Sequence, residues 1–354
     1  MSSQADVKFR FPRTVTFDDV LLVPQLSSIE SRSSIDVSVD MKNVGKLSLP
    51  IVSSPMDTVT GSSMARELGK RGILSILHRY NTQTEQTALL SLAVGEGARI
   101  TGAAVGVTGD FMQRVRSLVA MGVDVICLDI AHGHHEMMRS AIHQIRKEFS
   151  SLHIMAGNVA TREAFEDLSD WGADSVRVGI GGGSICSTRI KTGHGVPTLQ
   201  SVLDCAQSDR DAMIVADGGI RTSGDVVKAL AAGADLVMLG SMLAGTDESP
   251  GDVVEIPTTI GGGQAYTRYK AYRGMASVEA QIEWRGHTSS VEGVSSKVPY
   301  KGPVSDSLEM IENGIRSGLS YTGANNIKHF QSKAKFIRQT NAGLQESKTH
   351  IHNL

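Results

Sequence analysis

The 354-residue sequence holds only three cysteines, Cys127, Cys186 and Cys205, and no Cys-x-x-Cys pair. So sparse and odd a set excludes a disulfide framework and a cysteine-built structural zinc site, and points to a reducing, cytoplasmic compartment. Charge of one sign is also missing. The formal net charge is −2, so neither nucleic acid nor an anionic membrane is expected as a partner. No apolar run approaches the roughly 18 residues of a membrane span. Residues Met1–Arg13 lack the apolar stretch of a signal peptide.

What is present fits an ordinary globular enzyme. Apolar residues make up 40% and charged residues 20%, enough for a large core. Glycine is abundant, at 37 residues, which suits a fold with many tight turns. Eight short apolar runs recur, each followed by an amphipathic stretch: Pro50–Ser53, Ile73–Leu77, Gly102–Val105, Val125–Asp129, His153–Ala156, Ser175–Gly179, Met213–Ala216 and Leu236–Leu239. Such alternation is the mark of parallel βαβ units. Eight of them in this length favour a closed (β/α)₈ TIM barrel, with residues 1–354 as a single domain, over an open sheet. Gly122, Gly172 and Gly233, each in a Gly-x-Asp corner before a strand, are expected to end helices in the left-handed conformation.

Three segments fall outside the repeat. Residues 1–48, with Phe17-Asp-Asp-Val-Leu-Leu22, are expected to cap the barrel from below. Residues 251–301 read as a hairpin turning at Gly261-Gly-Gly263 and leading to a mobile, polar flap over Glu283–Lys301. Residues 304–322 read as a helix, and residues 341–354 as a loose tail.

Barrel active sites lie at the C-terminal ends of the strands. There the sequence places Ser54 and Met56 after strand one, Asp129 and the His132, His134, His135 group after strand four, and Asn158 after strand five. Gly179 to Arg189 follows strand six, Asp217-Gly218-Gly219 strand seven and Gly240-Ser241 strand eight. Glycine turns after strands seven and eight suit a phosphate held by backbone N–H groups, with Ser184 and Ser241 as hydroxyl donors. Asp217 suits a pair of ribose hydroxyls or, equally, a helix cap. Cys186 stands apart from Cys127 and Cys205, which sit in a strand and a helix as small hydrophobes. It lies in a glycine-rich loop beside Thr188 and Arg189, where a cation and backbone N–H groups favour a nucleophilic thiolate. The histidines match no usual zinc spacing.

The loop Gly181-Gly-Gly-Ser-Ile-Cys186-Ser-Thr188-Arg189 resembles that of the IMP dehydrogenase/GMP reductase family. Phe17-Asp-Asp-Val-Leu-Leu-Val-Pro24, Ser53-Ser-Pro-Met-Asp-Thr58, Gly157-Asn158, Asp217-Gly-Gly-Ile220, Val237-Met-Leu-Gly-Ser241 and Tyr272-Arg-Gly-Met275 appear in the family's order. The resemblance covers nearly the whole chain. It implies a purine nucleoside monophosphate, GMP or IMP, attacked at C2 by Cys186, with a nicotinamide cofactor exchanging hydride. It implies substrate contacts at Ser54, Met56, Ser184, Asp217, Gly218, Gly219, Gly240, Ser241, Tyr272, Gly274 and Met275. Asp129, Asn158, Arg177, Gly179 and Arg285 would face the cofactor, and Thr188 with Glu292 would relay a proton. The carbonyls of Gly181, Gly183 and Cys186 match positions that hold potassium, and a homotetramer is implied.

The direction of reaction turns on two absences. His78–Arg99 leaves no room for the nucleotide-binding regulatory module that dehydrogenases carry, and the flap is too short to sweep the site. Glu283-Trp-Arg285 and Tyr321-Thr-Gly-Ala324 resemble reductases. Arg177, Asp129-Ile-Ala-His-Gly133 and Ala342-Gly-Leu-Gln-Glu346 resemble dehydrogenases. The balance favours an NADPH-dependent GMP reductase of purine salvage; the alternative is a compact IMP dehydrogenase using NAD. An inactive nucleotide sensor would have lost Cys186, Thr188 or Glu292, and all three are present.

Overall fold

Each of the eight apolar runs is a strand in the computed structural model, which describes residues 13–260 and 263–348. In chain order they are β1 (Ile51–Ser53), β2 (Leu74–Leu77), β3 (Gly102–Val105), β4 (Val125–Asp129), β5 (His153–Val159), β6 (Ser175–Val178), β7 (Met213–Asp217) and β8 (Leu236–Leu239). All eight neighbouring pairs are parallel, and β8 closes on β1.

The strands are mostly apolar because both faces are covered. In β4, Val125 and Cys127 join the inner cluster with Val52, Ile76, Met155, Val215 and Met238. Ile126 and Leu128 face the outer cluster, packed with helix residues such as Leu118 and Ile142. The two-residue period of a strand thus divides one continuous apolar run between two cores. Gly122, Gly172 and Gly233 have φ of 82°, 110° and 110°, and each lets the chain turn from a helix into the next strand.

The segment before β1 corrects one expectation. The barrel floor is a small antiparallel pair, Val39–Met41 with Gly45–Leu47, whose Met41 and Leu47 enter the inner cluster. Phe17 lies instead at the opposite mouth, where it lines the cleft at the C-terminal ends of the strands. It is drawn there because Val20–Leu22 pairs with the late strand Phe336–Arg338, and Lys228 Nζ donates to the Phe17 carbonyl at 2.8 Å.

After β8, β9 (Val254–Ile260) and β10 (Gly263–Arg273) form the expected hairpin; Gly261 and Gly262 of its turn lie outside the described residues. The flap is more structured than the sequence suggested. Val278–Arg285 is helical, and β11 (Ser295–Pro299) pairs antiparallel with β10, leaving only residues 286–294 between them. The helix Val304–Thr322 has the expected bounds. The tail is not loose from its start, since Asn341–Glu346 is a short helix capped by the Thr340 hydroxyl. Gln339 ties it to the Asp18 and Asp19 carbonyls. Residues 349–354 lie outside the described residues. Among the described residues no helix is long and apolar enough to cross a membrane.

Candidate active site

At the C-terminal ends of the strands lies a cleft of about 740 Å³. Each residue the sequence marked for substrate, cofactor, ion or proton relay lines it: Ser54, Met56, Asp129, Asn158, Arg177, Gly179, Gly181, Gly183, Ser184, Cys186, Thr188, Asp217, Gly218, Gly219, Gly240, Ser241, Tyr272, Gly274, Met275, Arg285 and Glu292. The barrel brings them together because they stand at the ends of adjacent strands or on the hairpin folded over those ends.

The loop from Gly179 carries the cysteine. Gly179 has φ 149°, and a Cβ there would stand 1.9 Å from the Asp217 carbonyl oxygen. No side chain fits that approach. Gly179→Ala should destabilise the fold by about 3 kcal/mol through backbone displacement and strain; a shifted denaturant midpoint checks this, and an unchanged one would contradict the crowding. Further along, Cys186 is half-buried, and its Sγ lies 3.2 Å from Thr188 Oγ1. The Thr188 hydroxyl donates to Glu292 Oε2 at 2.7 Å. Two backbone bonds, Ser187 N to Glu292 O and Val294 N to Ile185 O, strap residues 292–294 against this loop. Thiol, hydroxyl and carboxylate therefore form one continuous hydrogen-bonded line from the cleft to the flap.

Arg189 does not serve Cys186 as the neighbouring cation. Its guanidinium donates to the carbonyls of Ile180 and Val196, closing the base of the loop. Cys127 and Cys205 are buried, and burial pushes their thiols up to about 11 and about 12, which keeps them protonated.

A chain of charges crosses the floor of the cleft. Arg177 donates to Asp129 Oδ1 at 2.6 Å and to Asp217 Oδ2 at 2.8 and 3.2 Å. Arg79 holds the other oxygen of Asp129 at 3.1 Å, and Asn158 Nδ2 donates to Asp217 Oδ2 at 2.8 Å. Burial opposes the charge on Arg177, but the carboxylates of Asp217 and Asp129 outweigh it, and its pKa rises well above the ordinary value. Burial likewise works against the Asp129 carboxylate, and Arg177 and Arg79 reverse the outcome and hold its pKa below the usual range. Asp217 is not a helix cap; Thr222 and Asp225 cap the following helix. With three donors on Oδ2, Asp217 leaves Oδ1 without a protein partner among the described residues.

At the far side, Gly218 and Gly219 have φ of 94° and 79°, which exposes their backbone to the cleft. Gly240 is pressed by Tyr272: a Cβ there would meet the Tyr272 hydroxyl at 3.0 Å and Met56 Sδ at 3.3 Å. Tyr272 is buried, and burial raises its pKa against an opposing hydrogen bond with Ser184. The Met275 sulfur accepts the Asp57 N–H at 3.3 Å.

Sequence reasoning missed Arg79 and Tyr80, which follow β2 and line the cleft. Tyr80 stacks on Trp284 at 6.0 Å, and Arg79 and Arg285 lie over its ring at 5.3 and 5.9 Å. An Arg-Tyr pair at a strand end was the available signal. The histidines have other work. His134 Nε2 lies 2.7 Å from Asp167 Oδ2 and its ring stacks on Trp171. His135 caps the helix Glu136–Glu148.

With this geometry established, comparison with known proteins is specific. The IMP dehydrogenase / GMP reductase domain model matches residues 14–350. The inosine-5'-monophosphate dehydrogenase of Nitrosopumilus maritimus is 36% identical, with 96% of this chain and 98% of that protein covered. The GMP reductase of Leishmania major is 31% identical, with 96% and 97% covered. The crystal structure of a GMP reductase from Trypanosoma brucei in complex with guanosine 5'-monophosphate superposes with a TM-score of 0.90 at 31% identity, covering 98% of this chain and 100% of that one. The Leishmania reductase aligns over 485 positions against 354 residues here, so it carries at least 131 positions this chain lacks. Extra length is therefore not confined to dehydrogenases, and the missing module does not separate the two activities.

Proposed function

The chain belongs to the IMP dehydrogenase/GMP reductase family, oxidoreductases that use a nicotinamide cofactor, and within it we propose a GMP reductase that converts GMP to IMP and ammonia with NADPH. The observation that carries this reading is the line Cys186–Thr188–Glu292, at 3.2 and 2.7 Å, closed over by a segment of only nine residues, 286–294.

In this reading Ser184, Gly219, Gly240, Ser241 and Tyr272 hold the 5'-phosphate through neutral donors, and the free Oδ1 of Asp217 takes the ribose hydroxyls. Met275 and Glu292 border the base. The Cys186 thiolate adds to C2. The 2-amino group takes a proton passed from Glu292 through Thr188 and leaves as ammonia, and the purine stays bonded to sulfur as a thioimidate. Release of the C2–S bond then gives IMP and returns the thiolate. The nicotinamide, when bound, supplies the hydride that C2 takes up at that stage. Asp129, Asn158, Arg177, Gly179 and Arg285 are the residues suited to hold it: the first four cluster on one charged floor, and Arg285 stands over Tyr80. A short flap strapped to the cysteine loop keeps water from the adduct. The carbonyls of Gly181 and Cys186 accept no hydrogen bond among the described residues and Gly183 accepts one, so this turn fits potassium, which would brace the loop. We further propose a cytoplasmic homotetramer of single-domain subunits.

The compact IMP dehydrogenase reading draws on the 36% identity to the Nitrosopumilus enzyme. One assay separates the two. Enzyme with GMP and NADPH should consume NADPH and yield IMP, while IMP with NAD⁺ should give no sustained XMP. Steady XMP production without GMP-dependent NADPH oxidation would overturn the reductase assignment.

A further inference from the structure

The donors around the proposed phosphate subsite are all uncharged, yet the ligand is a dianion. Arg285 lies over Tyr80 on the proposed cofactor side, and the four other arginines that line the cleft are already committed. Arg221 bonds to Asp18 and faces Asp225, Arg79 and Arg177 pair with aspartates, and Arg189 binds carbonyls. One cation behind the subsite is different. Lys301 follows β11 and reaches under the loop after β8. Its Nζ donates to the Ser241 carbonyl at 2.6 Å and the Met242 carbonyl at 3.1 Å, and it makes no ion pair among the described residues.

The backbone explains why the ammonium sits there. Leu243 N and Ala244 N both donate to Gly240 O, so residues 240–244 form a helical turn. In such a turn the N–H and C=O groups point to opposite ends. Lys301 occupies the carbonyl side, which leaves the N–H side of Gly240 and Ser241 toward the cleft. The arrangement is tightly held: Lys301 N donates to Gly245 O at 2.9 Å, and a Cβ on Gly245 would come within 2.4 Å of the Pro299 carbonyl. At its other end the same strand continues from Glu292–Val294, which are strapped to the Cys186 loop.

We propose that Lys301 is a positioning residue for the 5'-phosphate. It fixes the Ser241 peptide from behind and supplies the positive charge that the neutral donors lack. This rests on the phosphate reading above, and the test separates the two. Dissociation constants for GMP and for guanosine are measured by titration calorimetry on the wild type, Lys301→Met and Lys301→Arg. Lys301→Met should weaken GMP about tenfold, as loss of a nearby positive charge implies, and leave guanosine unchanged within about twofold. Lys301→Arg, which keeps charge and reach, should restore most of the GMP affinity. Equal weakening of both ligands, or none, would overturn the proposal. If wild type itself binds guanosine as tightly as GMP, the phosphate subsite is misassigned, whatever Lys301 does. Should Lys301→Met fail to fold, Lys301→Gln keeps a donor without the charge and carries the same expectation and the same overturning results. IMP and inosine serve equally if the enzyme turns over IMP.

Discussion

Cys186→Ala should lower kcat by at least about 10⁴-fold, because a covalent route loses its nucleophile altogether. Nucleotide affinity should stay within about threefold, since the Ser184, Asp217 and Gly240–Ser241 contacts are separate from the thiol. The fold should be undisturbed: Cys186 is half-buried, and among the described residues its side chain makes one hydrogen bond, to Thr188. The discriminating experiment pairs steady-state kinetics with calorimetric titration of GMP. Mass spectrometry of wild-type enzyme quenched with nucleotide should reveal the adduct on Cys186, and the alanine variant should show none. More than a few per cent of residual turnover would exclude covalent catalysis at this residue.

Glu292→Gln should have the next largest effect. The carboxylate is the end of the proposed relay and accepts the Thr188 hydroxyl at 2.7 Å. Glutamine keeps an acceptor oxygen and the strap through its backbone, but it cannot exchange a proton at that atom. Loss of general acid–base assistance predicts a drop in kcat of about 10²–10³-fold. Binding of GMP should change little, because the amide preserves shape and the phosphate contacts lie elsewhere. Single-turnover experiments should locate the block at ammonia release, before the cofactor acts. A variant that releases ammonia at the wild-type rate would remove Glu292 from the relay and leave Thr188 to be served by another group.

The barrel strands were legible to within a few residues because their signals are local. A parallel strand buried on both faces writes itself as a short apolar run, and a left-handed glycine closes each corner. β4, for example, has the bounds expected from Val125–Asp129 alone. The cysteine loop was legible for a related reason. Gly179 and Gly218 are required where backbone passes backbone, and Gly181 where the Arg189 side chain passes, so a glycine cluster at strand ends marks a site even before closure is known.

What the sequence could not determine is which loops meet. Thr188 and Glu292 are 104 residues apart, and Arg177 reaches partners 40 and 48 residues away. Lys301 lies 60 residues from Ser241. Phe17 reads as one apolar residue in an N-terminal segment, and only its pairing strand with Phe336–Arg338 carries it to the mouth that holds the cleft. Arg189 is adjacent to the cysteine loop in sequence, but its guanidinium turns away to carbonyls. Local chemistry sets the strands and corners, because burial and backbone sterics act over a few residues. The proton line, the charged floor and the cation behind Ser241 arise only when the barrel closes, because closure fixes distances that no sequence spacing encodes.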